Sequence, residues 1–297
     1  MEIIRYPHNK PLQSNNNCVT IGNFDGVHVG HQALIKKVVD QAKASGGKSV
    51  VVTMHPLPIQ YFQGKGAVPL VTSFKRKVRL LAELGVDVLC VLNFNKKLSS
   101  MPAQHFFDDI IVRGLKAGYL LVGDDFQFGA NREGDAAFLA SKCRHAQITF
   151  DQQSSVMLHS SRVSSSLVRS ALAVGDFEQV KAFLGRNYIV AGRVAHGKKL
   201  GRTLGFPTLN LHFKNGDSAL HGIYVVKVKI KGQWHEAVAS VGLNPTVNDD
   251  SKRLEVHVLD WSGDIYGQWI EVLFYKKLRN EVEFDGLSAL KVAILAD

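Results

Sequence analysis

GNFDGVHVGH, residues 22–31, follows an apolar run at 19–21 and precedes a segment, 32–45, whose apolar residues recur at helical spacing. This order predicts a strand, a tight turn and a helix. Such a turn points free backbone N–H groups and the positive end of the helix dipole towards a ligand, which suits phosphate groups. We therefore expect the turn to bind a nucleotide.

The residue types within this turn support the same expectation. His28 and His31 are three residues apart, so they share one face if the helix begins there. Gly22, Gly26 and Gly30 keep bulk away from the backbone. The alternative is a simpler interpretation, in which both histidines only cap the helix.

Composition indicates a globular protein with room for two domains. The chain has 297 residues, of which 45% are hydrophobic and 21% are charged. No run approaches the roughly 18 apolar residues of a membrane span, and the sequence MEIIRYPHNK at the start has no apolar signal core. The three cysteines are widely separated, which favours neither a disulfide framework nor a zinc site. We expect a reduced, cytoplasmic protein without a membrane partner.

The formal net charge of +10 favours anionic partners, but the basic residues are mostly dispersed. The densest basic patch, residues 75–79, begins an apparent helix whose Val78, Leu81 and Leu84 face inward. We therefore predict that Lys77 and its basic neighbours lie on a solvated helical face. No zinc-finger, RNP-type or basic-zipper pattern accompanies the patch, so no nucleic-acid partner is predicted.

Up to residue 150, short apolar runs alternate with helical segments. Strands nearly continuous in Val, Ile and Leu predict an α/β domain with a parallel sheet covered on both faces. After the first strand, the predicted strands lie at 49–53, 86–92, 119–122 and 148–150. Ligands of such sheets gather at the carboxyl ends of the strands, which is where the opening turn lies.

The pattern changes in the second half of the chain. Helical segments at 164–174 and 176–184 are followed, from residue 188, by a segment in which residues alternate with a period of two, as in strands. This alternation predicts an antiparallel β module, and a short helix around 287–295 ends it. We place the boundary near Arg186, which gives domains of 1–185 and 186–297.

GNFDGVHVGH closely resembles the H-x-G-H signature of the nucleotidyltransferase superfamily. Its Asn-Phe-Asp-Gly lead resembles the prokaryotic bifunctional riboflavin kinase and FAD synthetase family. Residues 123–129, GDDFQFG, are similar to that family's flavin-side loop, and residues 163–169, VSSSLVR, to its I-S-S-T-x-x-R element. The resemblance implies a doubly wound, Rossmann-like domain that adenylylates FMN. It implies catalytic roles for His28 and His31, ATP-phosphate contacts from Gly22, Asn23, Phe24, Gly30, Ser164 and Arg169, and flavin contacts from Asp125 and Phe128.

Residues 192–211, GRVAHGKKLGRTLGFPTLNL, closely resemble the riboflavin kinase signature, with Leu209 where the signature has alanine. The resemblance implies an antiparallel β-barrel kinase domain with a terminal helix. A Walker loop is absent, but interleaved glycines and basic residues suit a loop that folds over ADP phosphates. The implied phosphate ligands are Gly192, His196, Gly197, Gly201 and Arg202.

Thr208 and Asn210 are two residues apart in this signature, within a segment expected to be extended. Both side chains then face one way and can offer oxygen atoms to one Mg²⁺, although outside such a match the pair would be only a turn element. Asn210 is also an implied flavin ligand, as is Arg279. Family elements at 244–246 and 264–267 are expected to shape the flavin pocket.

Phosphorylation of a ribityl hydroxyl requires a base, because an alcohol is a poor nucleophile while it is protonated. Glu255 alternates with apolar residues in LEVHVLD, residues 254–260. It is expected inside the barrel if Leu254, Val256 and Val258 face outward. The family places its catalytic glutamate in this Leu-Glu-x-His element, so the resemblance implies that role for Glu255. The alternative is a surface carboxylate on a half-exposed strand.

Together these motifs predict a bifunctional enzyme that converts riboflavin and ATP to FMN and ADP, and then FMN and a second ATP to FAD and pyrophosphate. Mg²⁺ is the expected cofactor, no nucleic-acid or membrane partner is expected, and an oligomer is compatible with the sequence.

Two alternatives remain open. Leu57 stands where the family has histidine, and His55 where it has a carboxylate, which suggests a riboflavin kinase with a weak or altered adenylyltransferase half. The net charge suggests, less directly, a nucleic-acid-binding protein on a nucleotidyltransferase fold.

Overall fold

The computed structural model describes residues 1–5, 12–64, 66–158, 161–197, 205–213, 218–243, 252–282 and 284–297. The chain folds into two compact units. Unit 1 contains residues 1–67 and 74–164, and unit 2 contains residues 68–73 and 165–297. In the described residues, no helix combines the length and the apolar character needed to cross a membrane.

Unit 1 is built on a parallel sheet of six strands. These are β1 (Glu2–Arg5), β2 (Asn17–Ile21), β3 (Ser49–His55), β4 (Val88–Asn93), β5 (Ala117–Gly123) and β6 (Thr149–Gln153). They lie in the order β1-β4-β3-β2-β5-β6, and all neighbours are parallel. From β2 the chain adds strands first on one side and then on the other, so the switch point lies at the carboxyl end of β2. The predicted doubly wound sheet is confirmed.

Two hydrophobic cores lie on the two faces of this sheet. The described residues of unit 1 include the helices α1 (Val29–Ser45), α2 (Pro58–Gln63), α3 (Phe74–Glu83), α4 (Lys96–Ser99), α5 (Ala103–His105), which continues as a π-helix (Phe106–Gly114), and α6 (Ala136–His145), with a 3₁₀ helix at Ala130–Arg132. Val51 of β3 packs with Ile35 of α1 in one core, and Val50 packs with Ile110 and Leu139 in the other. A short hairpin, β7 (Met157–Leu158) and β8 (Ser161–Arg162), follows the sheet.

Unit 2 is an antiparallel sheet that nearly closes into a barrel. Its strands are β9 (Ile189–Arg193), β10 (Thr208–His212), β11 (Gly222–Ile230), β12 (Gln233–Leu243), β13 (Lys252–Val258) and β14 (Trp269–Arg279). They lie in the order β10-β13-β12-β11-β14-β9. Just beyond β9, the Ala195 N–H donates to the Asn210 carbonyl oxygen at 2.8 Å, which links the two edges of the sheet. The predicted barrel is confirmed.

The described residues of unit 2 also include the helices α7 (Ser165–Val174), α8 (Phe177–Leu184) and α9 (Leu287–Ala296). Phe177 of α8 packs against Tyr224 and Phe274, with ring centroids 5.8 and 5.7 Å apart, so α8 shares the core of the barrel. Apart from residues 68–73, which belong to unit 2, unit 1 ends at residue 164. The domain boundary near Arg186 follows the sequence motifs and stays a prediction.

Candidate active sites

The turn between β2 and α1 is folded tightly around buried side chains. Phe24 (φ +48°) and Val27 (φ +43°) have left-handed backbone conformations, which residues other than glycine rarely adopt. Both side chains are 1% exposed, so their packing in the core offsets the strain. At Gly30, a Cβ atom would lie 3.2 Å from the His28 ring, so glycine lets the helix start approach His28 closely. The predicted strand, turn and helix are confirmed.

His28 and His31 face each other at the start of α1. Their rings stack with centroids 3.6 Å apart, and the Phe24 ring lies against His31 with centroids 5.1 Å apart. His28 is the N-cap of α1, where its Nδ1 accepts a hydrogen bond from the His31 N–H at 3.3 Å. The capping interpretation therefore accounts for His28 Nδ1, but it does not account for the His31 side chain.

The His31 imidazole is neutral and has an unsatisfied nitrogen. Burial lowers the pKa of His31 well below its ordinary value, and the neighbouring His28 and Lys77 lower it further. His31 Nδ1 is buried and has no hydrogen-bond partner among the described residues. A buried polar atom without a partner indicates a missing ligand or water, and a neutral imidazole can still donate from one nitrogen. His31 is therefore suited to meet a phosphate oxygen.

Lys77 is buried beneath the turn, contrary to the prediction from the sequence. Its side chain is 5% exposed and lies under the turn, where Nζ donates to the Asn23 carbonyl oxygen at 2.7 Å. The predicted solvated face is therefore wrong for Lys77. Helical spacing could have shown this, because position 77 lies on the same face as the inward-facing Leu81 and Leu84.

The predicted flavin-side loop is held by ion pairs. Arg162 Nη2 lies 3.3 Å from Asp124 Oδ1 and 2.7 Å from Asp125 Oδ2. Burial raises the pKa of Asp124, but hydrogen bonds from Ser155 and the Arg162 charge outweigh it and hold the pKa below its ordinary value. Phe128 is buried against three other phenylalanine rings. The flavin-binding roles of Asp125 and Phe128 stay predictions.

The two residues that depart from the family pattern lie in different surroundings. Leu57 is 5% exposed and precedes α2, and its N–H donates to Gln60 Oε1 at 3.2 Å. His55 is exposed at the end of β3. Partial burial of the imidazole, followed by the charges of Lys77 and Arg5, lowers the pKa of His55. His55, rather than Leu57, therefore presents a polar group at the carboxyl end of β3.

Sequence reasoning missed an aromatic cluster beyond the carboxyl ends of β3 and β4. Tyr61 and Phe62 of α2 lie 5.2 Å apart by ring centroids. Both contact Phe94, which follows β4, at centroid distances of 5.5 Å from Tyr61 and 5.8 Å from Phe62. Phe62 is 67% exposed. Exposed aromatic rings offer an apolar surface to a planar ligand. No signal in the sequence joined Phe94 to α2, because only the parallel sheet brings these segments together.

The other predicted ATP ligands occupy defined places. Gly22, Asn23 and Phe24 lie in the turn, as the sequence predicted. Ser164 ends unit 1, whereas Arg169 lies on α7 of unit 2, where its Nη2 donates to Ser166 Oγ at 3.1 Å. The contacts of all these residues with ATP stay predictions.

In unit 2, β10 and β13 bring the predicted kinase residues together. The two strands pair with Asn210 opposite Glu255. Thr208 Oγ1 donates a hydrogen bond to Glu255 Oε2 at 3.4 Å. A hydroxyl, an amide and a carboxylate therefore share one small area of the barrel surface.

Glu255 lies on the outer face of the barrel, so the expectation that it lies inside is wrong. Leu254, Val256 and Val258 are 0%, 0% and 5% exposed and fill the core, whereas Glu255 and His257 are half-buried on the opposite face. The alternation was read correctly, but the apolar side chains occupy the interior because that removes them from water. The Glu255 carboxylate is therefore partly open to solvent.

The start of the predicted phosphate loop lies beside this group. Gly192 belongs to β9, and the His196 ring stacks on the Tyr266 ring with centroids 4.0 Å apart. At Gly197, a Cβ atom would lie 2.5 Å from Asn210 Nδ2, so a larger residue there would displace the Asn210 amide. The predicted residues that lie outside the described ones are Gly201, Arg202 and 244–246.

Arg279 already holds a carboxylate. Its Nε and Nη2 donate to the two carboxylate oxygens of Asp297 at 2.7 and 2.6 Å. These hydrogen bonds raise the pKa of Arg279 above its ordinary value. A flavin would compete with Asp297 for the guanidinium, and the role of Arg279 as a flavin ligand stays a prediction.

The described residues fit a magnesium ion at Thr208 and Asn210. Asn210 is 5% exposed, and its Oδ1 is buried without a hydrogen-bond partner among the described residues. Asn210 Nδ2 lies 3.5 Å from Thr208 Oγ1, so the two side chains adjoin. Neutral and carboxylate oxygens are the ligands that Mg²⁺ prefers, and it usually retains water and substrate phosphate oxygens as its other ligands. No cluster of three His, Cys, Asp or Glu side chains suited to a metal occurs among the described residues.

Two family models match the chain, one in each half. The FAD synthetase family model matches residues 10–167, and the riboflavin kinase family model matches residues 184–297. Among solved structures, one described as a macrolide-efflux protein from Streptococcus pneumoniae superposes with a TM-score of 0.84 at 28% identity, covering 100% of this chain and 97% of that chain.

Full-length relatives carry both activities in their names. The chain is 43% identical to the bifunctional riboflavin kinase/FMN adenylyltransferase of Pseudomonas fluorescens, and 39% identical to that of Escherichia coli (strain K12). Each comparison covers 100% of this chain and 96% of the relative. With both family models matched in order on the two folded modules, the chain belongs to the bifunctional riboflavin kinase/FMN adenylyltransferase family.

Proposed function

We propose that the chain makes FAD from riboflavin in two ATP-dependent reactions. The barrel phosphorylates riboflavin to FMN and releases ADP. The α/β module transfers the adenylyl group of a second ATP to FMN and releases pyrophosphate. The observation that carries the proposal is the ordered match of both family models over modules with the corresponding folds.

In the kinase reaction, Glu255 is the general base. It removes the proton of a ribityl hydroxyl as that oxygen attacks the γ-phosphorus of ATP, and ADP leaves. The Thr208 hydroxyl orients the carboxylate through its hydrogen bond to Oε2. When bound by Thr208 and Asn210, Mg²⁺ supplies positive charge that offsets the charge on the phosphate oxygens. Gly197 keeps the start of the phosphate loop close to Asn210.

Adenylyl transfer has different needs. The FMN phosphate has a second pKa near 6, so at neutral pH it is already a nucleophile and needs no strong base. The enzyme must instead stabilise charge on the α-phosphate and on the leaving pyrophosphate. The helix start, His28 and the neutral His31 supply the donors for this charge in the α/β module.

A direct test incubates the purified protein with riboflavin, ATP and Mg²⁺ and separates the flavins by chromatography. The expected result is early FMN followed by FAD, with ADP and pyrophosphate as the other products. Accumulation of FMN without FAD, also when FMN is supplied directly, would exclude the bifunctional proposal.

The metal assignment predicts the behaviour of a Thr208→Val variant. Valine keeps the shape of threonine but removes the oxygen, so we expect kinase activity at limiting Mg²⁺ to fall by about tenfold or more. Raising the Mg²⁺ concentration should recover part of the loss. Thr149→Val, an exposed substitution in β6, is the matched control. A Thr208→Val enzyme with the wild-type Mg²⁺ requirement would contradict the assignment.

Leu57 motivates the second candidate, a riboflavin kinase with a weak adenylyltransferase half. Its side chain is buried, whereas the neighbouring His55 is exposed, so the leucine does not face the ligand edge of the sheet directly. We therefore expect Leu57→His to leave the rate of FAD formation from FMN within about threefold of wild type. A rate increase of about tenfold or more would favour the second candidate instead.

The cysteines support a reduced, cytoplasmic environment, which we include in the proposal. Cys18, Cys90 and Cys143 are free and buried. Burial raises the pKa of Cys90 to about 12 and that of Cys143 to about 11, so both remain protonated and unreactive thiols. We propose small-molecule partners only. Oligonucleotide binding that weakens steeply with salt, without flavin turnover, would favour the nucleic-acid-binding alternative.

A further inference from the structure

Lys77 and Thr53 hold one backbone carbonyl of the nucleotide turn from below. Lys77 Nζ donates to the Asn23 carbonyl oxygen at 2.7 Å and to Thr53 Oγ1 at 3.4 Å. Thr53 Oγ1 donates to the same Asn23 oxygen at 3.1 Å. A carbonyl oxygen has two lone pairs, so these two donors satisfy it completely. The three residues come from α3, β3 and the turn, and all belong to unit 1.

Burial of an ammonium group is costly, which argues for a specific role. Lys77 is 5% exposed, and Asp25, in the turn itself, is 2% exposed. Burial lowers the pKa of Lys77 to about 8, although the Asp25 charge opposes the change. An apolar residue would fill the same space on α3, beside Leu80 and Leu81, without this cost.

We infer that Lys77 is a positioning residue for adenylyl transfer: it fixes the Asn23 carbonyl from beneath the turn, and with it the backbone conformation that carries His28 and His31. The inference rests on the proposed function of the α/β module. The turn needs such support because Phe24 and Val27 hold left-handed conformations on either side of the acidic residue Asp25. Without the ammonium, the turn loses a hydrogen bond from α3.

The charge of Lys77 gives this role a measurable signature. Burial is the main cause of the low pKa of His31, but His28 and Lys77 each lower it further. Lys77 also lowers the pKa of His55, and Asp25 faces Lys77 with the opposite charge. Replacement of Lys77 by a neutral residue should therefore raise the pKa of His31, whereas loss of the Thr53 hydroxyl should not.

The experiment compares Lys77→Met, Thr53→Val and Lys75→Met in FAD formation from FMN and ATP. Methionine is similar in length to lysine but cannot donate, so we expect kcat to fall by about a hundredfold, with a smaller change in the KM for ATP. Thr53→Val removes the weaker donor and should lower kcat by about tenfold. Lys75→Met, on the exposed side of α3, is the matched control and should behave as wild type.

Two further measurements separate positioning from general loss of structure. NMR titration of the histidine ring protons should show a higher His31 pKa in Lys77→Met and an unchanged one in Thr53→Val. Thermal unfolding followed by circular dichroism checks that each variant is folded.

The inference is overturned if Lys77→Met retains kcat within about threefold of wild type. It is also overturned if kcat falls as far in Lys75→Met as in Lys77→Met. If Lys77→Met does not fold, Thr53→Val decides, and a wild-type kcat in that variant overturns the inference. A wild-type protein that forms no FAD would refute the proposed function instead. The histidine titration needs no turnover, so it still tests the coupling of Lys77 to His31.

Discussion

In Glu255→Gln, the rate of riboflavin phosphorylation should fall by about a thousandfold, while the variant still forms FAD from supplied FMN. Glutamine preserves the size and the polar contacts of the side chain, but it cannot accept the ribityl proton. The hydrogen bond from Thr208 to Glu255 Oε2 can be retained by the amide oxygen, so the local structure should survive. The measurement is the initial rate of FMN formation from riboflavin, beside the rate of FAD formation from FMN.

Glu236→Gln is the matched control for this variant. Glu236 lies on the neighbouring strand β12, is 76% exposed and pairs with Lys227 at 3.8 Å, so its replacement removes a barrel carboxylate without touching the site. It should retain both activities. Equal loss of the two activities in Glu255→Gln would contradict the assignment of separate sites, and an active kinase would show that Glu255 is only a surface carboxylate.

His28→Ala should have the opposite pattern, with FAD synthesis reduced by about a hundredfold or more and riboflavin phosphorylation retained. The substitution removes an imidazole that we propose contacts the triphosphate. It also removes the N-cap of α1, which by itself should cost about 1 kcal/mol of stability. Both effects must be separated before the loss is attributed to catalysis.

His28→Asn makes that separation. Asparagine is among the best N-cap residues, so it should restore the cap to the His31 N–H while leaving the imidazole absent. We expect His28→Asn to match His28→Ala in FAD synthesis but to match wild type in thermal unfolding. Wild-type FAD synthesis in His28→Asn would instead show that His28 serves only as a cap.

Local sequence patterns were sufficient to predict those parts of the candidate sites whose residues are neighbours in the sequence. The stretch 22–31 carries its own strand end, glycines and helix start, so the turn could be predicted without knowledge of the fold. The two-residue repeat of a strand likewise predicts that Thr208 and Asn210 share a face, and in the structure both lie beside Glu255.

The predictions failed where the buried and exposed faces of a strand or helix had to be told apart. They also failed where segments far apart in the sequence come into contact. For Glu255, the two-residue repeat identified the side chains that share a face, but the apolar face was assigned to the wrong side of the barrel. For Lys77, charge suggested solvent although helical position indicated the core. The strand β1 was missed because its four residues lie mostly exposed at the edge of the sheet and show no clear periodicity. Phe62 and Phe94 meet only through the parallel sheet.

The pairing of Asn210 with Glu255 ties the proposed kinase site to the hydrogen-bond ladder of the barrel. If β10 slipped by one residue against β13, Asn210 would turn towards the core and leave the base, because neighbouring residues of a strand face opposite ways. A single-residue insertion or deletion within either strand would therefore be as damaging as loss of the catalytic group itself. During evolution, length changes in this module should accumulate in the connections between strands, while β10 and β13 keep a constant length.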